Sequence, residues 1–204
     1  MSFYSIADFI KEYYPDYYGI QTYPVAESVA IRRVNDEWGL FCNFAPTPLV
    51  VDGVPFASSE ELFQLMKFKV PEVVRRIRSG ITMGGKSSHQ VKMTAKSYEK
   101  AYRRPDWGQM IVDAMKYCLT IKYEQSAEFR DLLMKSTGTY IVEDQTSMPK
   151  KNPDAWGVKA IGDNYVGPNL LGRLLMELRD NATLEYNLPD DAFDFIIFIK
   201  TNTE

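Results

Sequence analysis

The chain has 204 residues, 45% of them hydrophobic and 25% charged, with a formal net charge of −3 and a pI near 5.4. This is the composition of an ordinary globular chain, large enough for a self-sufficient core, and it excludes a disordered or fibrous polypeptide. The slight acidity argues against a broad, sequence-independent nucleic-acid surface, which needs clustered Lys and Arg to release counterions.

The opening MSFYSIADFIKEYYPDYY carries acids early and has no uninterrupted apolar run. It reads as neither a signal peptide nor an anchor, and no later stretch reaches the ~20 apolar residues of a membrane span. A cytoplasmic protein is expected. The same segment alternates aromatics with acids and predicts a short helix ending before Pro15. SVAIRRV, from Ser28 to Val34, and LVV, from Leu49 to Val51, predict strands, the second followed by the turn pair Asp52-Gly53.

From Ser59 onward the pattern is helical. At about 100° per residue, Glu60, Gln64 and Lys67 fall within roughly 60° of one another, while Leu62, Phe63, Leu65, Met66 and Phe68 cover most of the remaining circumference. A helix apolar on most sides is a buried helix. Its polar stripe must face buried partners or a wet pocket, because an unpaired charge in a core is costly. Spacing leaves a site-facing stripe and a structural ion pair both open. Ser58, followed three residues later by Glu61, predicts a capping box at the helix start.

PEVVRRIRSG sets Val73, Val74 and Ile77 against Arg75, Arg76 and Arg78, an amphipathic turn or two closing at Gly80. GITMGGKSSHQ reads as a glycine-containing loop that holds the single histidine, His89. One histidine with Cys42 and Cys118 makes no metal cluster, and the two thiols are expected to be buried.

Asp106 with Gln109 opens a helix whose core face is Met110, Ile111, Ala114, Met115, Cys118 and Leu119. A further helix is predicted from Ser126 to Lys135, stopped by Gly138, and then TYIVE as a strand. Pro168 marks another helix start, with Leu170, Leu171, Leu174, Leu175 and Leu178 as the buried stripe of NLLGRLLMELRDN. Gly172 costs that helix about 1 kcal/mol relative to alanine, so it predicts close approach of another backbone or a ligand. FDFIIFI near the C-terminus reads as a last strand or buried segment. Helices outnumber short, scattered strands, and the expected fold is α+β: one compact, mainly helical domain.

Three segments hold residue types that stability alone would not choose: Trp107 in RRPDWG, Asp154 and Trp156 in NPDAWGV, and Asn169 and Arg173 in GPNLLGRLLMELR. Two tryptophans on loop edges either rim a core or sandwich a flat heterocycle, with carboxylates near a bond to it.

FCNFAPTPLVVDGVPFASSEELFQLMKF, then DWGQM, LLMKSTGTYIVED, DAWG and NLLGRLLMELR, in this order, make the chain resemble the NADAR, or YbiA-like, family from about Trp38 to Asp180. The resemblance sets residues 1–35 apart as an N-terminal extension and 36–204 as the domain. It implies a small α+β N-glycosidase without cofactor or metal. The implied substrate is a ribosylated small molecule, a phosphoribosylamino-pyrimidine of riboflavin synthesis, or ADP-ribosylated guanine in a nucleotide or nucleic acid.

Carried over, the family's catalytic glutamate falls on Glu60, its helix glutamine on Gln64 and its helix lysine on Lys67, either a phosphate contact or a Schiff-base nucleophile. Its site tryptophans fall on Trp107 and Trp156 and its asparagine on Asn169, with Asn43, Phe44, Glu143, Gly157 and Arg173 as further implied substrate contacts. Lys86 in GGKSS stands in for a missing Gly-Arg dipeptide as a phosphate contact. Asp154, the implied second acid, stands two residues before Trp156 where the family acid stands three before it. That displacement keeps a second class open, a non-catalytic module binding NAD, ADP-ribose or a related nucleotide. A third is an interaction protein using Tyr13, Tyr14, Tyr17 and Tyr18.

Overall fold

The computed structural model describes residues 5–79 and 87–201. Gly80, the loop after it and Lys86 lie outside them. The architecture is α+β and mainly helical, and it falls into two compact units: Met1–Cys42 with Ser126–Leu184, and Asn43–Gln125 with Glu185–Glu204.

In the first unit, α1 (Ile6–Tyr13) begins at Ser5, whose hydroxyl accepts from the Asp8 N–H while the Asp8 carboxylate accepts from the Ser5 N–H. This reciprocal cap holds a helix too short to persist alone. β1 (Gln21–Pro24) pairs antiparallel with β7 (Asn164–Gly167), which pairs with β6 (Lys159–Ile161). β2 (Ser28–Ile31) runs parallel to β5 (Tyr140–Glu143), in register from Ser28 opposite Tyr140 to Ile31 opposite Glu143. The first 35 residues thus supply a strand to each of this unit's sheets. Between the sheets' sequences lies α6 (Ala127–Lys135), capped by Ser126 and followed by Gly138 at φ +82°. Tyr23, Ala30, Val142, Val158 and Tyr165 form one buried cluster. α7 (Leu170–Asn181) packs on β5. There an ideal Cβ on Gly172 would sit 2.1 Å from the Ile141 carbonyl oxygen, which is the backbone approach its position predicts.

In the second unit β3 (Leu49–Val51) and β4 (Val54–Phe56) make a hairpin whose turn residues, Asp52 and Gly53, both have positive φ, as a primed two-residue turn requires. α2 (Ser59–Leu65), α3 (Pro71–Arg78), α4 (Ser88–Tyr102) and α5 (Trp107–Gln125) follow, and α2 packs on both α4 and α5. The α5 face read from sequence is buried throughout. Its Met, Ile and Leu side chains each contribute about 1.5–3 kcal/mol relative to exposure.

Several expectations change. FDFIIFI is not a strand but the body of α8 (Asp194–Lys200). Its β-branched and aromatic content suggests extension, yet acids at its start favour a helix N-terminus, and Phe195 and Ile196 bury against α3 and β4. His89 is not in a loop but in the first turn of α4, because Ser87 and Gln90 form a reciprocal cap. β1, β6 and β7 lie in stretches where the sequence predicts no strand. Their strands are three or four residues long, too short for a periodic signal. Cys118 is buried but Cys42 only half so. No helix among the described residues is long and apolar enough to cross a membrane.

Candidate active site

Helix α2 is fixed at its start from two sides. The Ser58 hydroxyl accepts from the Glu61 N–H at 3.2 Å, but Glu61 does not complete a capping box. Its carboxylate reaches one residue further back, to the Ala57 N–H at 2.7 Å, and pairs with Arg78 at 3.0 Å. Burial pushes the Glu61 carboxyl up, against the pull of the Ala57 N–H and Arg78. From the other side, Asn43 accepts from the Glu60 N–H through its backbone oxygen, at 3.0 Å, and from the Ser59 hydroxyl through its side chain, at 3.1 Å. Its amide nitrogen rests on Met115 Sδ. Asn43, an implied substrate contact, is placed here as the clamp on the first turn of α2.

The stripe itself is buried as the helical count requires: Glu60 is 4%, Gln64 1% and Lys67 8% exposed. The last α-helical hydrogen bond runs from the Met66 N–H to the Leu62 carbonyl and the Lys67 N–H closes a tighter turn on the Gln64 carbonyl, so Lys67 projects from the closing turn rather than from the helix. Gln64 Nε2 donates to Glu60 Oε1 at 2.8 Å, which orients the carboxylate. Gln64 Oε1 is buried with no hydrogen-bond partner, an acceptor that a ligand donor or water would satisfy. Lys67 Nζ donates to Glu99 Oε1 at 2.6 Å and lies 5.6 and 5.7 Å from the ring centres of Phe63 and Trp107. Burial pushes the Lys67 ammonium down, and Glu99 opposes the shift.

Sequence reading missed two members of this group. Lys92 lies 3.9 Å from Glu60 Oε1 and 5.0 Å from the Phe44 ring centre, and Glu99 holds Lys67. They are seven residues apart on α4, two turns along one face. Only Val91 and Ala95 are buried along that helix, so its amphipathic signal is weak. The cap at Ser87 was the one legible sign. Trp107 is not a loop-edge residue either. It is the first residue of α5, 3% exposed, with its ring edge-on to Phe63 at 5.2 Å.

The first unit gathers Glu143, Asp154, Trp156, Gly157, Asn169 and Arg173. Asp154 is exposed and its Oδ1 accepts from Gln145 Nε2 at 2.7 Å and from the Trp156 N–H at 2.9 Å. The Asp154 N–H in turn donates to Gln145 Oε1. This carboxylate organises its own turn, and Trp156 on that turn is half-exposed. A Cβ on Gly157 would meet the Glu143 carbonyl oxygen at 2.6 Å. Asn169 is fully buried at φ +54°. Its Oδ1 accepts from the Glu143 N–H and its Nδ2 donates to the Ile141 carbonyl, tying the start of α7 to β5. Arg173 donates to the Asp16 and Tyr17 carbonyls and stacks over the Tyr17 ring, which fastens the N-terminal segment to α7. Among the described residues no group of three or more His, Cys, Asp or Glu is placed to hold a metal ion.

The fold is that of a small α+β, mainly helical protein. The chain belongs to the NADAR domain family, whose model matches residues 31–183. It is 34% identical to the N-glycosidase YbiA of Shigella boydii over 154 residues, 74% of this chain and 86% of that one. The NMR structure of the Escherichia coli protein YbiA matches with a TM-score of 0.61 at 30% identity, covering 76% of this chain and 84% of that chain. A riboflavin biosynthesis protein of Vibrio vulnificus is 24% identical over 92% of this chain, which spans 47% of that longer protein.

Proposed function

We propose that the protein hydrolyses the C1′–N bond of a ribosylated base, and that its substrate is a phosphoribosylated aminopyrimidine of the kind formed in riboflavin synthesis. The observation that carries this reading is Glu60, a buried carboxylate oriented by Gln64 and faced by Lys92. Breaking a C1′–N bond builds positive charge on the ribose and negative charge on the departing nitrogen. A carboxylate against C1′ opposes the first and orients the attacking water, as carboxylates do in other glycosidic cleavages. Gln64, with an unspent buried acceptor, takes a hydroxyl or N–H of the substrate. Lys67 places an amine on the same stripe for the phosphate or the leaving group.

The name of the Vibrio relative favours the riboflavin-type substrate, and so does an acidic chain without a surplus of basic residues. The test is product analysis by mass spectrometry. Wild-type and Glu60→Gln protein are each given 5-amino-6-(5-phosphoribosylamino)uracil and, separately, DNA bearing ADP-ribosylated guanine. Release of ribose 5-phosphate by wild type alone is expected. Release of ADP-ribose instead would move the substrate to modified guanine, and silence on both would overturn the reading.

A further inference from the structure

We propose that Glu99 is a positioning residue of this glycosidase: it holds the Lys67 amine against the Phe63 and Trp107 rings and controls its protonation. The proposal rests on α2 being the reacting surface.

The geometry is specific. Lys67 is the buried partner, 8% exposed, and among the described residues its ammonium has one hydrogen-bond acceptor, Glu99 Oε1 at 2.6 Å. That length is of a charge-assisted bond. The bond spends one of three N–H donors and leaves the others for substrate. The two rings on which the ammonium rests are themselves locked edge-to-face, 5.2 Å apart, so the amine is confined by packing on one side and by Glu99 on the other.

The remaining charges near it do less. Glu60, on α2, also favours the charged amine, but less than Glu99 does, and it is itself occupied by Gln64 and faced by Lys92, while Lys92 from α4 acts on Lys67 with like sign. The segment before α5 brings the Arg104 N–H to the Lys67 carbonyl, but the Arg104 guanidinium is spent on Asp106 and Asp191. Glu99 is therefore the main opposition to the burial that drives the proton off Lys67.

Removing the charge has a fixed sign. In Glu99→Gln the amine keeps a hydrogen-bond acceptor of the same shape but loses its anion, so Lys67 must give up its proton at lower pH. An opposite charge at this range is worth about 1–3 pH units.

The experiment follows the Lys67 Cε resonance with pH in protein carrying 13C-lysine, assigned by its loss in Lys67→Arg, for wild type and Glu99→Gln. The pH dependence of kcat/KM is measured beside it. The midpoint is expected to fall by about 1–3 units, with one limb of the rate profile moving down with it. A falling alkaline limb would mean that the charged amine works in the reaction, and a falling acid limb the neutral one; either supports the proposal. A folded Glu99→Gln protein with an unchanged Lys67 midpoint, or with reduced rate and unmoved limbs, overturns it. If Glu99→Gln does not fold, Glu99→Asp decides in the same titration: the shorter carboxylate lowers the midpoint if the proposal is right and leaves it unmoved if it is wrong. The titration needs no turnover, so an inactive wild type would sink the glycosidase substrate and still leave this test to run.

Discussion

Glu60 and Asp154 are the two carboxylates that the family resemblance marks for chemistry, and the two units treat them in opposite ways. Glu60 is buried, receives one side-chain hydrogen bond, from Gln64, and has a lysine beside it. Asp154 is exposed, and its Oδ1 accepts both the Gln145 amide and the Trp156 N–H. The first is an acceptor kept in reserve at the cost of desolvation; the second is consumed in shaping a turn. Residue type and motif position are the same kind of signal for both. Only the hydrogen-bond inventory separates a buried carboxylate with one side-chain donor from an exposed one that braces its own turn.

The largest effect that sharpens this contrast is Glu60→Gln. Rates are expected to fall about 10²–10⁴-fold, the range for losing a positioned acid or base, with the melting temperature little changed because an amide still accepts from Gln64. Steady-state kinetics beside a thermal melt measure both, and near-normal turnover would make Glu60 structural. Gly172→Ala should be next, and purely a stability effect. The new Cβ meets a backbone oxygen at 2.1 Å and both Asn169 amide heads at 2.6 Å, and none of these can yield cheaply. A loss of about 3 kcal/mol by denaturant unfolding is expected; an unchanged midpoint would mean that α7 has room to move off β5. Asp154→Asn is the smallest of the three. The amide oxygen keeps the Trp156 N–H, so activity is expected to stay within about fivefold of wild type, the worth of one altered hydrogen bond. A loss as deep as that of Glu60→Gln would erase the contrast between the units.

Much of the second unit is legible in the sequence. The period that placed Glu60, Gln64 and Lys67 on one stripe also demanded burial of the rest of α2, and α5 read correctly along its whole core face. What the stripe touches was not legible. Glu99 and Lys92 come from a helix with two buried positions, and a weakly amphipathic helix gives periodicity little to detect. The same limit hid the β1, β7, β6 sheet, whose strands exist because of their partners across the chain rather than their own pattern. Asn169 and Arg173 carry structural contacts that the sequence did not show. A polar residue in a family motif suggests a ligand contact, yet both side chains hold backbone carbonyls of their own unit, a role set by tertiary contacts that spacing does not encode.

The closing turn of α2 carries a last, smaller prediction, because its support titrates. The Arg104 N–H donates to the Lys67 carbonyl, and the Arg104 guanidinium donates to Asp106 at 2.7 and 2.8 Å and to Asp191 at 2.6 Å, where Lys69 also pairs. Arg104 holds the Asp106 carboxyl below its ordinary range, and Lys69 with Arg104 does the same for Asp191. A carboxyl whose folded pKa is depressed stabilises the fold above its unfolded value, ~3.9, and that contribution is lost as pH falls through the folded value. Melting temperature should therefore hold from neutrality down to about pH 5 and decline below about pH 4. Asp191 is half-exposed, so its share is modest and weakened by salt. Asp191→Asn should lower the neutral melting temperature slightly and flatten the acid decline, which thermal melts across that range would read. An equally steep decline in the variant would shift the acid sensitivity to other carboxylates, such as Asp144 in the first unit. Burial opposes ionisation there, and Thr146 and Arg32 outweigh it to hold that pKa down.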